Sequence, residues 1–342
     1  MVQSDEKRSR VFHELDFDRP GKQIGYLRVP QSRNGGAWAT VEVPIAVVNG
    51  APGPGLLLTG GIHGYEYEWQ IAISAIARDI DPASLRGRLI LLPATDLPAA
   101  LNGTRLCPLD NRDLNRCFPG DARGSFCQVL AHFIDQHLLP LVEVSLDIHS
   151  GGHSMNAALS SNMHFVDDPQ RMAKSLHLAD CFAAPYNVVF WGVDEGATLT
   201  SAVEARGILS VGTELNGWGR VSVEGVKIAR RGIRNVLCEL GMIDGTPDRR
   251  QADGQQGTRH MMVRDQSAYV FCPSDGLFEP CHEAGAEVAA GEIAGYLHFV
   301  EDWSRAPIPL PYRSSGRLWM AMGSGRAKKG DTVAVVMQPY IA

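Results

Sequence analysis

The chain has 342 residues with a formal net charge of −6, and 44% of the residues are hydrophobic and 20% charged. This composition excludes a disordered chain, a collagen-like repeat and a coiled coil, and the slightly acidic balance predicts no nucleic-acid or anionic-lipid partner. No apolar run approaches the ~18 residues of a membrane helix, and the polar first residues lack the apolar core of a signal peptide. We therefore expect a cytoplasmic protein with no membrane partner, built from about two domains at ~150 residues each.

The first 245 residues alternate short apolar segments with amphipathic ones, which is typical of an α/β domain. Helices are predicted over 67–80, 126–138 and 226–240, where apolar positions fall on one face. Strands are predicted over 40–48, 56–59, 88–94, 143–149, 187–191 and 208–214. Their continuous apolar runs indicate central strands covered on both faces by helices.

The composition changes after residue 245, where 245–257 is polar, Gly-rich and aperiodic, as in a linker. Short strands with Gly turns follow, and the stretch from Gly276 resembles the stretch from Gly316, which predicts a small all-β, barrel-sandwich-like fold of two similar halves. Barrel-sandwich domains of this kind carry lipoyl or biotinyl groups on a Lys, where this chain has Met320, so we expect no carrier function. The predicted domains are therefore 1–245, α/β, and 246–342, all-β.

Seven Cys are scattered along the chain, and no two have the Cys-x-x-Cys spacing. We expect free thiols in a reducing compartment. Cys107, Cys117 and Cys127 follow one another at ten-residue intervals. No zinc module uses this spacing, so we attach no function to it and expect no structural zinc on thiolates.

His63 and Glu66 follow a predicted strand and a Gly-Gly turn. A His and a carboxylate three residues apart can chelate one cation, and zinc accepts both ligand types. The position matters more than the spacing, because open α/β sheets place their sites at the carboxyl ends of strands. His298 and Glu301 have the same spacing without such a context, and we expect them to be structural.

A third ligand is predicted at His149, which ends another strand beside a Gly-rich turn. Asp147, two residues earlier in the strand, points to the same side of the sheet as His149. Its carboxylate could form a hydrogen bond to a metal-binding side chain and so fix its orientation. His153 is a rival ligand in the following loop. Three protein ligands would leave the fourth position of a tetrahedral zinc open, as in catalytic sites.

Two further regions carry groups that suit hydrolysis. Glu214 ends a buried strand, where a carboxylate is costly unless it faces a cleft or a partner. We therefore expect Glu214 to be functional, and a carboxylate that faces a cleft could transfer a proton. The loop 104–120 holds Arg105, Arg112 and Arg116. Such a loop could hold carboxylates through bidentate, charge-assisted bonds, although a solvated polar loop remains the alternative, above all for Arg112.

Together these segments resemble, in their order, the succinylglutamate desuccinylase/aspartoacylase family, a branch of the zinc carboxypeptidase-like hydrolases. The resemblance covers roughly residues 40 to 240 and rests on four motifs. They are His63-x-x-Glu66 after Gly-Gly, Asp113-Leu-Asn-Arg116-x-Phe-Pro-Gly120, Asp147-x-His149 and Thr213-Glu214. The resemblance implies a central mixed sheet flanked by helices, and the β-rich C-terminal part also suits the family.

The resemblance further implies one zinc per chain on His63, Glu66 and His149, with Glu214 as general base and acid. It places Asn115 with Arg116 on a substrate carboxylate. The oxyanion Arg of the family lies upstream of the Asp-Leu-Asn-Arg motif; Arg105 fits the bacterial deacylase-like members, and Arg112 stays open. Tyr65 stands where many members carry a small acidic residue.

The resulting hypothesis is a zinc amidohydrolase that removes an acyl group from a small N-acylated amino acid. A carboxypeptidase of the same fold is the first alternative, since it would use the same chemistry on a peptide. A non-catalytic relative that binds metal is the second. The sequence leaves open the acyl group, the amino acid and whether the chain forms a homo-oligomer.

Overall fold

The computed structural model describes residues 9–190, 196–249 and 257–341. The helices are α1 Tyr67–Asp79, α2 Leu97–Asn102, α3 Phe126–Phe133, α4 Pro169–Asp180, α5 Leu199–Ala205 and α6 Val223–Glu239. The first strands are β1 Gly21–Pro30, β2 Thr40–Asn49, β3 Ala51–Thr59, β4 Arg86–Leu92, β5 Val144–His149, β6 Met155–Ala157, β7 Ser160–His164, β8 Tyr186–Phe190 and β9 Leu209–Glu214. The remaining strands are β10 Arg259–Val263, β11 Tyr269–Phe271, β12 Gly276–Pro280, β13 Glu287–Val288, β14 Ile293–His298, β15 Ile308–Pro311, β16 Gly316–Met322, β17 Arg326–Ala327 and β18 Thr332–Pro339.

The chain divides into two compact units that exchange segments along the sequence. The first comprises Met1–His149, Asp194–Gly212 and Val226–Asp248. The second comprises Ser150–Val193, Thr213–Gly225 and Arg249–Ala342. The domain boundary between 245 and 246 stays a prediction, because contacts between residues do not tell which part of a chain folds by itself.

A mixed sheet forms the centre of the first unit, with strands in the order β1-β2-β4-β3-β5-β9. The outer pairs β1–β2 and β2–β4 are antiparallel, and β3 runs parallel to β4 and to β5. Leu56, Leu57 and Leu58 are successive residues of β3 with no solvent exposure, as expected of a strand covered on both faces. Because Thr59 pairs with Asp147, β3 and β5 end at the same edge of the sheet.

Helices α1 and α2 begin beside that edge. α1 starts directly after Glu66 and buries Trp69, Ala72 and Ile73. Asp96 caps α2 by accepting a hydrogen bond from the Ala99 N–H at 3.1 Å. The predicted helix over 126–138 is an α-helix up to Phe133 and continues as a wider π turn over Ile134–Leu138.

The second unit contains the β-rich C-terminal part. Strands β7, β8 and β10 are parallel, and β18, β16 and β13 extend this sheet, each antiparallel to the strand before it. A separate antiparallel sheet has the order β15-β14-β12-β17. The two similar stretches predicted from Gly276 and Gly316 begin β12 and β16, and Met320 lies within β16.

The predicted α/β class, with a mixed sheet, helices and an all-β C-terminal region, is therefore confirmed. Each strand predicted between residues 40 and 214 overlaps an observed strand. Three predictions fall partly outside the described residues: the polar start over 1–8, the strand end at Trp191 and the linker over 250–256. Among the helices that are described, none has the length and apolar character to cross a membrane.

Candidate metal centre

The three predicted ligands lie together in the first unit. His63 follows β3, Glu66 precedes α1 and His149 is the last residue of β5. The Nδ1 atom of His63 lies 2.8 Å from Oε1 of Glu66, and Nδ1 of His149 lies 2.9 Å from Oε2. One ligand atom from each residue lies within 4.8 Å of the other two. The structure thus places two imidazoles around one carboxylate.

Two glycines allow this close packing. Gly61 has a φ of +63°, in the left-handed region that favours glycine. A Cβ atom on Gly64 would lie 2.0 Å from the backbone carbonyl of Ala99, which leaves no room for any side chain. The Gly-rich turn around His63 is therefore required by the approach of α2 to the end of β3.

The outer nitrogen of each imidazole faces a second carboxylate. Nε2 of His63 lies 3.0 Å from Oδ1 of Asp113, and Nε2 of His149 lies 3.3 Å from Oδ2 of Asp147. A carboxylate behind a metal-binding histidine fixes the ring and its tautomer. The position of Asp147 agrees with the sequence prediction. Asp113 was not assigned a role from the sequence, although it lies in the motif that carries the family resemblance.

The neighbouring charges keep Glu66 and Asp113 ionised. Burial by itself raises the pKa of Glu66, but the two imidazoles outweigh it and lower that pKa to about 2. Burial also raises the pKa of Asp113, and His63 and Arg105 reverse this and hold it below its usual range. Burial lowers the pKa of His149, whereas Asp147 and Glu66 raise it well above its usual value. The raised pKa of His149 means that a proton balances part of this negative charge, and a bound cation would balance it in the same way.

These residues fit a zinc ion by the chemistry of their donors. Two imidazole nitrogens and one carboxylate oxygen form a ligand set of catalytic zinc sites, which keep a fourth position open. His63 and Glu66 are each only 4% exposed. A buried carboxylate between two imidazoles is favourable if a cation or a proton compensates its charge.

Of the two candidate arginines, the structure brings Arg105 to this cluster. Its Nη2 atom lies 2.9 Å from Oδ2 of Asp113, whose other oxygen faces His63. Burial lowers the pKa of Arg105, but Asp113, Tyr65 and Glu66 raise it above its usual range, so the guanidinium stays charged. Arg112 is exposed, and within the described residues it forms no ion pair.

Asn115 and Arg116 lie on a short 3-10 helix, Leu114–Arg116, which Asp113 caps. The Oδ1 atom of Asn115 accepts a hydrogen bond from the Leu199 N–H at 2.9 Å, and its Nδ2 lies 3.2 Å from Nε2 of His149. Arg116 is exposed and donates to the carbonyl of Asn115 at 2.9 Å. The amide is therefore held beside His149, and the guanidinium faces solvent.

The remaining candidates belong to the second unit. Glu214 is the last residue of β9 and is half-buried, as predicted for the end of a buried strand. His153, the rival ligand, is exposed in the turn after Gly152 and is not a member of the three-residue group.

Comparison with known proteins gives a consistent result. The model of the succinylglutamate desuccinylase/aspartoacylase catalytic domain matches residues 52–240. The N-alpha-acetyl-L-2,4-diaminobutyric acid deacetylase of Halomonas elongata is 33% identical over 333 residues, which are 96% of this chain and 95% of that protein.

Solved structures agree with these relatives. A succinylglutamate desuccinylase/aspartoacylase from Rhodobacter sphaeroides is 54% identical, with a TM-score of 0.94 over 98% of this chain and 100% of that chain. The product-bound ectoine utilization protein EutE (DoeB) from Ruegeria pomeroyi is 32% identical, with a TM-score of 0.92 over 97% of this chain and 100% of that one. With its matching catalytic domain and full-length relatives, the chain belongs to the succinylglutamate desuccinylase/aspartoacylase family.

Proposed function

We propose that this protein is a zinc-dependent hydrolase that removes the acyl group from a small N-acylated amino acid. The observation that carries the proposal is the group of His63, Glu66 and His149, with Asp113 and Asp147 behind the two imidazoles. One zinc ion per chain would be held by the first three residues. Such an ion supplies Lewis acidity, which lowers the pKa of water and polarises a carbonyl group.

Two side chains of the protein would carry out the remaining steps of the hydrolysis. Glu214 would take a proton from the attacking water and return it to the leaving amine. Arg105 would stabilise the negative charge that develops on the carbonyl oxygen, because its guanidinium is already held beside the ligand cluster by Asp113.

Asn115 and Arg116 would bind the α-carboxylate of the substrate. If His149 binds zinc through Nδ1, its Nε2 carries a hydrogen that is donated to Asp147, so the nearby amide nitrogen of Asn115 keeps its own hydrogens for a ligand. The amide and the exposed guanidinium of Arg116 then offer neighbouring donors, which match a carboxylate.

The substrate class can be tested directly. The name of the Halomonas elongata relative makes N-α-acetyl-2,4-diaminobutyrate the first compound to test, followed by N-acetylaspartate, N-succinylglutamate and N-formyl amino acids. The purified zinc-loaded protein should release a carboxylic acid and the free amino acid from at least one of them, as measured by chromatography. Turnover of none of these compounds would contradict the proposal, and cleavage of long peptides instead would indicate a carboxypeptidase.

The role of Arg105 leads to a mutational prediction. We expect Arg105→Ala to lower kcat by about 10²–10³-fold, the effect of losing one donor to a developing oxyanion. Arg112→Ala is the matched control and should remain close to wild type, since Arg112 is exposed in the same loop. Steady-state kinetics on both variants checks this. A normal Arg105→Ala beside an inactive Arg112→Ala would move the role to Arg112.

The proposed binding of the substrate α-carboxylate by Arg116 leads to a second mutational prediction. Wild-type protein should discriminate against the α-carboxamide of its substrate, and Arg116→Ala should discriminate about 10–100-fold less, since a charged hydrogen bond contributes about 1.5–3 kcal/mol. The measurement is kcat/KM for the acid and the carboxamide on both proteins, with Arg112→Ala as control. Equal discrimination by all three proteins would show that Arg116 does not recognise the carboxylate.

The carboxylates behind the ligands should control zinc affinity. Asp113→Asn should weaken zinc binding about 10–100-fold, the usual effect of removing such a partner. The amide keeps the size of the side chain but loses the charge that faces His63. Competition with a chelator of known affinity measures the change. An unaltered zinc affinity would indicate that the role of Asp113 is limited to its ion pair with Arg105.

A further inference from the structure

A second group of metal-ligand residues lies in the first unit and shares no residue with the centre described above. The sulfurs of Cys107 and Cys127 and a carboxylate oxygen of Asp96 lie within 4.8 Å of one another. All three side chains have no solvent exposure. Sγ of Cys117 donates to the carbonyl of Asp113 at 3.3 Å, and Cys117 is not a member of this group. The ten-residue spacing, to which the sequence assigned no function, thus brings Cys107 and Cys127 together.

Carboxylates surround the central thiol of this group. Sγ of Cys127 lies 3.8 Å from Oδ2 of Asp96 and 3.3 Å from Oδ1 of Asp110. Asp110 also accepts a hydrogen bond from the Cys127 N–H at 2.9 Å. Sulfur and carboxylate oxygen are both zinc ligands, and thiolate-rich sets favour zinc over hard cations such as Mg²⁺.

Within the described residues, the carboxylate of Asp96 has no cationic partner. Its bonds run to the N–H of Ala99 and to the thiols of Cys107 and Cys127, and among the residues with described positions it forms no ion pair with Lys, Arg or His. A buried carboxylate without a cationic partner is costly unless a cation or a proton compensates its charge.

We propose that Cys107, Cys127 and Asp96 bind a second metal ion, and that zinc is its natural occupant. Tetrahedral zinc has Zn–S bonds of about 2.3 Å and Zn–O bonds of about 2.0–2.2 Å, which place neighbouring ligand atoms roughly 3.5–3.8 Å apart. The 3.8 Å between Cys127 Sγ and Asp96 Oδ2 matches this spacing. On binding, the thiols lose their protons to solvent and the sulfurs become thiolates.

The site would stabilise the loop that carries the substrate-binding residues. Its ligands come from three segments: Asp96 caps α2, Cys107 lies in the loop and Cys127 lies in the first turn of α3. Between Cys107 and Cys127, the only regular structure is the 3-10 helix Leu114–Arg116. A metal bonded to both ends of this stretch would limit its conformations. A disulfide between two of the thiols would leave the charge of Asp96 uncompensated.

Metal content tests the proposal. Wild-type protein purified with a reductant should contain two zinc ions per chain by elemental analysis, one more than the centre at His63 explains. Cys107→Ser and Cys127→Ser should each lose one zinc and keep the other, whereas His63→Ala should lose the other one. Cys238→Ser is the matched control, because Cys238 is buried in the same unit outside the cluster, and it should keep both.

Cobalt(II) distinguishes the two sites by their ligands. Protein loaded with Co²⁺ should show a near-ultraviolet thiolate-to-cobalt charge-transfer band, because only the second site contains sulfur. The band should persist in His63→Ala and disappear in Cys127→Ser. Asp96→Asn, which keeps the size of the helix cap, serves as a second variant if a serine variant fails to fold, and should weaken Co²⁺ binding at this site.

Several results would overturn the proposal. One is a single zinc per chain that Cys127→Ser does not reduce. Another is the lack of a thiolate-to-cobalt band in folded wild-type protein. A third is an intact mass lower by two hydrogens under reducing purification, which would show a disulfide. The test is independent of the proposed hydrolase, because loss of the metal at His63 would leave the cobalt band of the thiolate site unchanged.

Discussion

Glu214→Gln should keep its zinc and lose most of its activity, with kcat about 10²–10⁴-fold lower, the range that general acid-base catalysis contributes. Glutamine preserves the shape of the side chain but cannot accept the proton of the attacking water. Because the loss affects the transition state more than the bound substrate, it should appear in kcat rather than in KM.

The control for this variant is Glu224→Gln. Glu224 is also half-buried and belongs to the same unit, in the first turn of α6. It should show kcat close to wild type. Zinc analysis of both variants separates a lost base from a lost metal. A Glu214→Gln protein with full zinc and kcat within a few-fold of wild type would exclude Glu214 as the base.

The proximity of His63, Glu66 and His149 could be predicted from the sequence because it depends on local patterns. The apolar runs that end at Thr59 and His149 indicate buried parallel strands, and such strands end at one edge of a sheet. The Gly-Gly turn then marks a backbone that must pass close to a neighbour, which the structure explains by the contact with Ala99. Strand ends and glycines together therefore identify His63 as a site residue.

Contacts between distant loop residues could not be predicted in this way. Asp113 faces His63 across 50 positions of sequence, and no periodicity links the two. The choice between Arg105 and Arg112 depends on a turn in which the Cys107 N–H donates to the Arg112 carbonyl and Asn111 has a φ of +55°. Such a turn reverses the chain between the two arginines, and their spacing alone does not reveal it.

Strand β7 and helix α4 were not predicted from the sequence, and each has a physical reason. The strand β7, Ser160–His164, is mostly polar and depends on its neighbour β8 for hydrogen bonds. Helix α4, Pro169–Asp180, buries only a narrow apolar face and is marked at its start by Asp168 and Pro169. Tertiary contacts stabilise both elements, so hydrophobic patterns give a weak signal for them.

His63→Ala should remove the zinc of the catalytic centre and reduce activity to the background of the assay. The alanine removes one of two nitrogen ligands, and the remaining Glu66 and His149 cannot complete the coordination of a catalytic zinc. It also leaves Asp113 without the imidazole that faces its Oδ1 atom. We therefore expect zinc affinity to fall much further than in Asp113→Asn, which keeps all three ligands.

The chain contains a matched control for this variant. His298 and Glu301 repeat the spacing of His63 and Glu66, but Nε2 of His298 lies 2.6 Å from Oε2 of Glu279, and both side chains of that pair are exposed. His298→Ala should therefore keep its zinc and its activity. Elemental analysis and kinetics of the two variants, with circular dichroism to verify folding, decide the assignment. Zinc retained by a folded His63→Ala protein at the wild-type level would show that the metal binds elsewhere. Zinc lost from His298→Ala would show that the metal site had been assigned to the wrong one of the two His-x-x-Glu pairs.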